Sequence, residues 1–122
     1  MKHLIILLSG REDEGKRASL AFNIALSAVA CNEKARLFLV FDGVCWANPT
    51  ISAEVKVGSF PSIADSLREF LELGGEVHLC SSCIGETCSP LSIPRDQIQP
   101  GIQISSTMAI IEYSRDAAVY TF

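Results

Sequence analysis

A chain of 122 residues, 48% hydrophobic and 20% charged, suits one domain with one core and argues against disorder. Ten Lys and Arg against fourteen Asp and Glu leave a net charge of −4 with no basic run, so a nucleic-acid grip built on phosphate neutralisation is excluded. Five cysteines are about 4% of the chain, below the ~8–10% of a disulfide scaffold, and three of them crowd into residues 80–88.

The opening run Leu4–Leu8 is apolar and ends at Ser9-Gly10. It is too short for a signal peptide's core of ~7–15 residues, and no stretch approaches the ~20 apolar residues of a membrane span. Residues 3–8 therefore read as a buried strand of a cytoplasmic protein. In a reducing compartment structural disulfides are rare, so clustered cysteines point to metal or thiol chemistry. Residues 16–31 read as a helix whose buried face carries Leu20, Ile24, Ala28 and Cys31. That places Cys31 in the core. Leu37 to Phe41 reads as a second buried strand stopped by Asp42-Gly43. The stretch from Trp46 to Pro61 has no period, contains Asn48-Pro49, and reads as a loop that covers a site.

A second helix is expected over residues 62–73. Ser62 and Asp65 form its capping box, Gly74 its left-handed stop, and Ile63, Leu67, Phe70 and Leu71 its buried stripe. Glu76 to Cys80 is a third strand. Pro90, Pro94 and Pro100 forbid a long helix between residues 84 and 100. A short strand Ile102–Ile104, a helix Thr107–Asp116 and a strand Ala118–Phe122 complete the chain. Strands alternating with helices imply a three-layer α/β/α sandwich around a mainly parallel five-stranded sheet, in a single unit spanning residues 1–122. Ligands collect at the carboxyl ends of such strands. Here those ends are Ser9-Gly10, Asp42 to Trp46, and Cys80 to Cys83, and they are expected to converge.

Gly10-Arg11-Glu12-Asp13-Glu14-Gly15-Lys16 imitates a phosphate-binding loop between a strand and a helix. Arg17 stands where that loop needs Ser or Thr for magnesium. Three carboxylates sit where phosphates would lie, and acidic groups there complement the helix N-terminus themselves. A charged turn that caps a helix fits better.

The segment His78-Leu79-Cys80-Ser81-Ser82-Cys83-Ile84-Gly85-Glu86-Thr87-Cys88 carries the chemistry. A C-x-x-C at a strand end keeps two sulfurs close. One thiolate attacks sulfur and the neighbour resolves the adduct. Zinc held by His78, Cys80, Cys83 and Cys88 is the alternative, although two separated ligand pairs are absent. Buried cysteines acting as small hydrophobes are the plain reading. His78 and Cys80 share one strand face by period two. Cys45 follows Asp42-Gly43-Val44 and stays undecided between a site residue and a loop cysteine. His3 reads as structural. Thioredoxin fits poorly, because its motif opens a helix early in the domain.

The layout resembles the DsrE/DsrF-like family of small sulfur-handling proteins. The likeness rests on the apolar first strand followed by Gly15-Lys16-Arg17-Ala18. It continues in Leu39-Val40-Phe41-Asp42-Gly43-Val44, in Gly75 to Cys83, and in the closing segments Gly101–Ser106 and Ala118–Phe122. The resemblance implies a flavodoxin-like sandwich that assembles into trimers, hexamers or hetero-complexes, and a homo-oligomer, trimer or hexamer, is expected here. It also implies a sulfane sulfur carried at Cys83, with Cys80 as partner and a sulfur donor or acceptor protein. No cofactor is implied. Where relatives continue into an Arg-Gly element, this chain has Gly85-Glu86-Thr87-Cys88-Ser89-Pro90. The expectation is a sulfurtransferase-like carrier with Cys83, Cys80 and Cys88 at its site. A zinc module or a non-catalytic oligomeric interaction protein is the alternative.

Overall fold

The computed structural model describes residues 1–86 and 91–122. Cys88, one of the three clustered cysteines, lies outside them. Strands β1 (Lys2–Leu7), β2 (Lys34–Leu39), β3 (Glu76–Cys80), β4 (Gln103–Ser105) and β5 (Ala117–Thr121) form one sheet. Its order is β4-β3-β2-β1-β5, and every pairing is parallel. Helices α1 (Lys16–Ala30), α2 (Pro49–Glu54), α3 (Ile63–Glu72) and α4 (Thr107–Ser114) complete the α/β fold.

Register explains which side chains face which layer. Ile5 pairs with Leu37, Leu7 with Leu39, and these lie beside Val77 and Leu79. All six are fully buried. They share one sheet face with the core formed by Ala18, Ala21, Phe22 and Ala25 of α1 and Ile63, Leu67 and Phe70 of α3. The alternate residues Leu4, Arg36, Phe38, Glu76 and His78 point to the opposite face. There α4 packs on β1 and β5, and its Tyr113 ring lies 4.1 Å from the Arg36 guanidinium carbon. The chain steps from β1 through β4 in one direction and then returns beside β1. A right-handed crossover accordingly puts α4 on the other side from α1.

Local chemistry sets the element ends. Ser62 Oγ accepts from the Asp65 amide at 3.1 Å, and Gly74 turns the chain out of α3 at φ 93°, both as the sequence implies. In the turn before α1, the Gly10 amide donates to the Glu12 carboxylate at 2.7 and 2.9 Å. The Asp13 carboxylate accepts from the amides of Gly15 and Arg17 at 3.1 and 2.9 Å. The carboxylates themselves occupy the donors that a phosphate would need.

Three expectations are corrected. The buried face of α1 runs through Ala18, Ala21, Phe22, Ala25 and Ala28, which leaves Leu20 exposed. Cys31 caps the C-terminus of α1 and is exposed rather than core, because the helix has ended before its face could carry it inward. The loop read between Trp46 and Pro61 contains α2. Asn48 caps it by accepting from the Thr50 amide at 2.9 Å, and Pro49 takes the first turn, where its missing N–H has no role. Finally, β2 starts earlier than expected and ends at Leu39, and residues 41–47 form a 3-10 turn.

That turn is pressed against the end of β1. A Cβ on Gly43 would lie 2.2 Å from the Leu7 carbonyl oxygen, and one on Gly10 would lie 2.7 Å from the Asp42 carbonyl oxygen. Trp46, fully buried, donates its indole N–H to the Ser9 carbonyl at 2.8 Å. Gly43→Ala is expected to cost about 3 kcal/mol, since two backbones must part to admit a methyl group. Gly58→Ala, at φ 53° with nothing within 4 Å, should cost only about 1 kcal/mol of left-handed strain. Urea midpoints of the two variants against wild type check the contrast.

Candidate thiol site

Strand β3 delivers Cys80 at its last position, and a 3-10 turn over Ser81–Cys83 brings Cys83 back beside it. Both side chains are reduced and each residue is 4% exposed. They come within 4.1 Å of each other, wider than the ~2.05 Å of a disulfide bond. The turn is held by the Ile93 amide donating to the Cys83 carbonyl at 3.0 Å, and by the Gly85 amide donating to the Ile93 carbonyl at 3.1 Å.

The three strand ends do converge. The turn after β2 reaches the thiols through Phe41, whose main-chain N–H hydrogen-bonds Cys83. Phe41 holds φ 53°, a left-handed conformation unusual for an aromatic residue, and its ring is exposed. Burial pushes the Cys83 thiol up. The Phe41 N–H opposes this, and the neighbouring Cys80 sulfur adds to it. The balance leaves the Cys83 thiol above its ordinary range. Cys45 lies in the same 3-10 turn, half-buried against the core.

His78 does not join the cysteines as a ligand. Its Nδ1 is hydrogen-bonded to Ser105 Oγ, and its Nε2 to Glu76 Oε1 at 3.2 Å. Glu76 Oε1 also accepts from Arg36 at 3.1 Å. Burial works to raise the Glu76 carboxyl, but the hydrogen bond from His78 and the charge of Arg36 outweigh it and hold the carboxyl low. Burial dominates at His78 and lowers its pKa. Glu76 partly offsets this, and Arg36 adds to it. Among the described residues no three His, Cys, Asp or Glu side chains converge as a metal-ligand set. His3 bonds Tyr120 Oη at 2.9 Å and Glu33 Oε1 at 2.8 Å, a structural tie between β1, β5 and the turn before β2.

Two neighbours of the thiols escaped the sequence reading. Phe41 stood only as a strand residue, and its left-handed backbone has no signal beyond the Asp42-Gly43 that follows. Ser105 becomes Cys80's cross-strand partner only once β4 is known to lie parallel beside β3.

The comparisons bear on the family and the fold. The DsrE/DsrF-like family model matches residues 1–122, and the chain belongs to that family of small sulfur-relay-type proteins. The crystal structure of the YchN protein from E. coli is similar in fold, with a TM-score of 0.69 at 19% identity over 100% of both chains. No curated protein sequence matches significantly. Among the described residues no helix is long and apolar enough to cross a membrane.

The lowered His78 pKa has a consequence for stability. Unfolded, its imidazole takes a proton near its ordinary value of 6.5. Folded, it resists until lower pH, so below that value the unfolded state binds more protons and stability falls. Urea midpoints should drop between pH 7.5 and pH 5.5, and His78→Gln should flatten that drop.

Proposed function

We propose that this chain is a small sulfur carrier, sulfurtransferase-like in its chemistry, that accepts sulfane sulfur on the Cys80–Cys83 pair and passes it on. The observation that carries the reading is two reduced, buried cysteines 4.1 Å apart at a parallel-sheet carboxyl edge, under one main-chain N–H. A thiolate at this pair attacks the outer sulfur of a donor persulfide, R–S–SH. The donor's S–S bond breaks, R–S⁻ leaves and takes up a proton, and the cysteine becomes Cys–S–SH. A thiolate of an acceptor protein then attacks that outer sulfur, the Cys–S–S bond breaks, and the cysteine leaves as a thiolate; with no acceptor, attack by the second cysteine on the inner sulfur releases hydrogen sulfide and leaves a Cys80–Cys83 disulfide.

The resemblance assigns the sulfane sulfur to Cys83. The raised Cys83 pKa supports the opposite order, with Cys80 attacking and Cys83 supplying the proton and resolving. A protein persulfide is the donor class, and a reducing cytoplasm keeps the pair ready. No cofactor enters these steps. Native mass spectrometry after incubation with a persulfide donor tests the reading. With no acceptor present, wild type should gain one sulfur atom and then lose it as hydrogen sulfide, ending two hydrogens lighter as the disulfide. Cys80→Ser should gain none, and Cys83→Ser should gain one that is held without hydrogen sulfide release. If the double serine variant loads as much sulfur as wild type, the carrier reading fails. Zinc bound to the protein as isolated would favour the metal alternative.

The same family membership supports self-association. On the face that α4 only partly covers, Met108, Ile111 and Val119 are 68%, 64% and 50% exposed, a patch that a second copy would bury. Ile111→Asp is expected to shift the protein toward monomer in size-exclusion chromatography with light scattering, and an unchanged mass would place the contact elsewhere.

A further inference from the structure

Cys80 is the last member of a row of side chains on the face of β3 that looks toward α4. Glu76, His78 and Cys80 alternate along the strand by period two, Cys80 at the end where the row meets the buried core. Parallel pairing puts Ser105 of β4 opposite Cys80, at the ~4.8 Å spacing of neighbouring strands. Ser105 is also the residue whose hydroxyl bonds His78 Nδ1. Ser105 is thus the residue that pairs with Cys80 in register and with His78 by hydrogen bond.

The direction of the hydrogen bonds follows from charge. Glu76, held low by His78 and Arg36, is an ionised carboxylate and can only accept. His78 Nε2 must therefore carry the proton donated to it. In the neutral imidazole Nδ1 is then the lone-pair nitrogen and accepts from the Ser105 hydroxyl. This leaves the Ser105 oxygen with its own lone pairs turned to other donors, and Cys80 is the residue across from it.

We propose that Ser105 and His78 form the proton-accepting arm of the Cys80 thiol, with Glu76 as the positioning residue that fixes the imidazole tautomer. The Cys80 proton passes to the Ser105 oxygen as the Ser105 proton passes to His78 Nδ1. The products are a Cys80 thiolate and an imidazolium, and the Glu76 carboxylate stabilises the new charge. No electron is transferred and nothing outside the chain is required. The purpose of this arm rests on the sulfur-carrier reading, but its existence does not need a sulfur donor to be tested.

The charged and titratable groups around His78 all bear on the balance. Glu76 on its own strand favours the imidazolium. Arg36 from β2 opposes it, and burial opposes it too. From α4, Tyr113 covers Arg36, and Lys2 of β1 lies 4.8 Å from the same ring. The imidazole therefore stays neutral until it is asked to take a proton, which is the state a base needs.

The test is iodoacetamide alkylation of Cys80 in the full chain, followed at the Cys80 peptide by mass spectrometry across a pH series. The midpoint of that profile reports ionisation, whereas its high-pH plateau reports access to a buried thiol. Ser105→Ala is expected to move the midpoint upward by about one unit and slow the neutral-pH rate about tenfold. Ser105→Thr keeps a hydroxyl and should restore the midpoint, and His78→Gln should shift it as Ser105→Ala does. Circular dichroism of each variant confirms that the folded chain is being read. A Ser105→Ala profile with the wild-type midpoint overturns the proposal, even if its plateau changes. Sulfur loading by the wild type under the same conditions judges the carrier reading separately.

Discussion

The carbonyl oxygen of Leu7 leaves no room for a side chain at Gly43, and the carbonyl of Asp42 leaves almost none at Gly10. These two backbone approaches fasten the turn after β2 to the end of β1, and the site hangs on them. The indole of Trp46 closes the same junction from within by bonding the Ser9 carbonyl. With the turn held at both ends, Phe41 is carried into a left-handed conformation that its side chain does not favour. Its N–H then meets Cys83. Strain of this kind persists only where the surroundings over-determine it, and here the surroundings are two glycines and a buried tryptophan.

The other half of the site depends on alternation along β3. Val77 and Leu79 enter the core beneath α1 and α3 and anchor the strand. The intervening His78 is thereby obliged to face the side on which α4 lies, with Cys80 after it in the same alternation. A buried imidazole is costly without partners. Glu76 and Ser105 supply them, and Arg36 completes the row from β2. One unmet demand remains, since Arg36 Nε is buried with no hydrogen-bond partner among the described residues. The Tyr113 ring against the guanidinium offsets part of that cost. Thus α4, which has no fully buried residue of its own, is tied to the sheet in part by a cation over its aromatic face.

How much of this the sequence discloses depends on whether a feature is local. The bounds of β3 and the cap of α3 are local, written in Glu76–Cys80 and in Ser62 with Asp65, and both are read correctly. The buried face of α1 is local too but weakly marked. Alanines make up most of it, and the more apolar Leu20 draws the eye to the wrong side. Misplacing that face also misplaces Cys31. Asn48-Pro49 reads as a loop because proline breaks helices, although it equally begins them. The row on β3 is beyond any local reading. That His78 and Cys80 share a face follows from strand period alone, but Arg36 and Ser105 join them only through the order of the sheet. The missing Arg-Gly element is plain in the sequence. What stands near the thiols in its place is not, because a main-chain N–H from residue 41 leaves no mark in the side-chain code.

The two cysteines consequently live in different surroundings despite their contact. Cys83 sits in a turn, desolvated, with a single main-chain donor and the sulfur of Cys80 as neighbours. Cys80 ends a strand and shares its face with an imidazole already aligned by a carboxylate. A pair placed symmetrically would have no preferred order of reaction. Here burial keeps the proton on Cys83, while Ser105 and His78 lie on the Cys80 side. Sulfur entering at Cys80 would meet, in Cys83, a protonated neighbour able to resolve it. Sulfur entering at Cys83 would first have to displace a proton that its surroundings retain. The asymmetry of the pair is thus set by where two strand ends and one turn place their polar groups, and the spacing of the cysteines alone does not contain it.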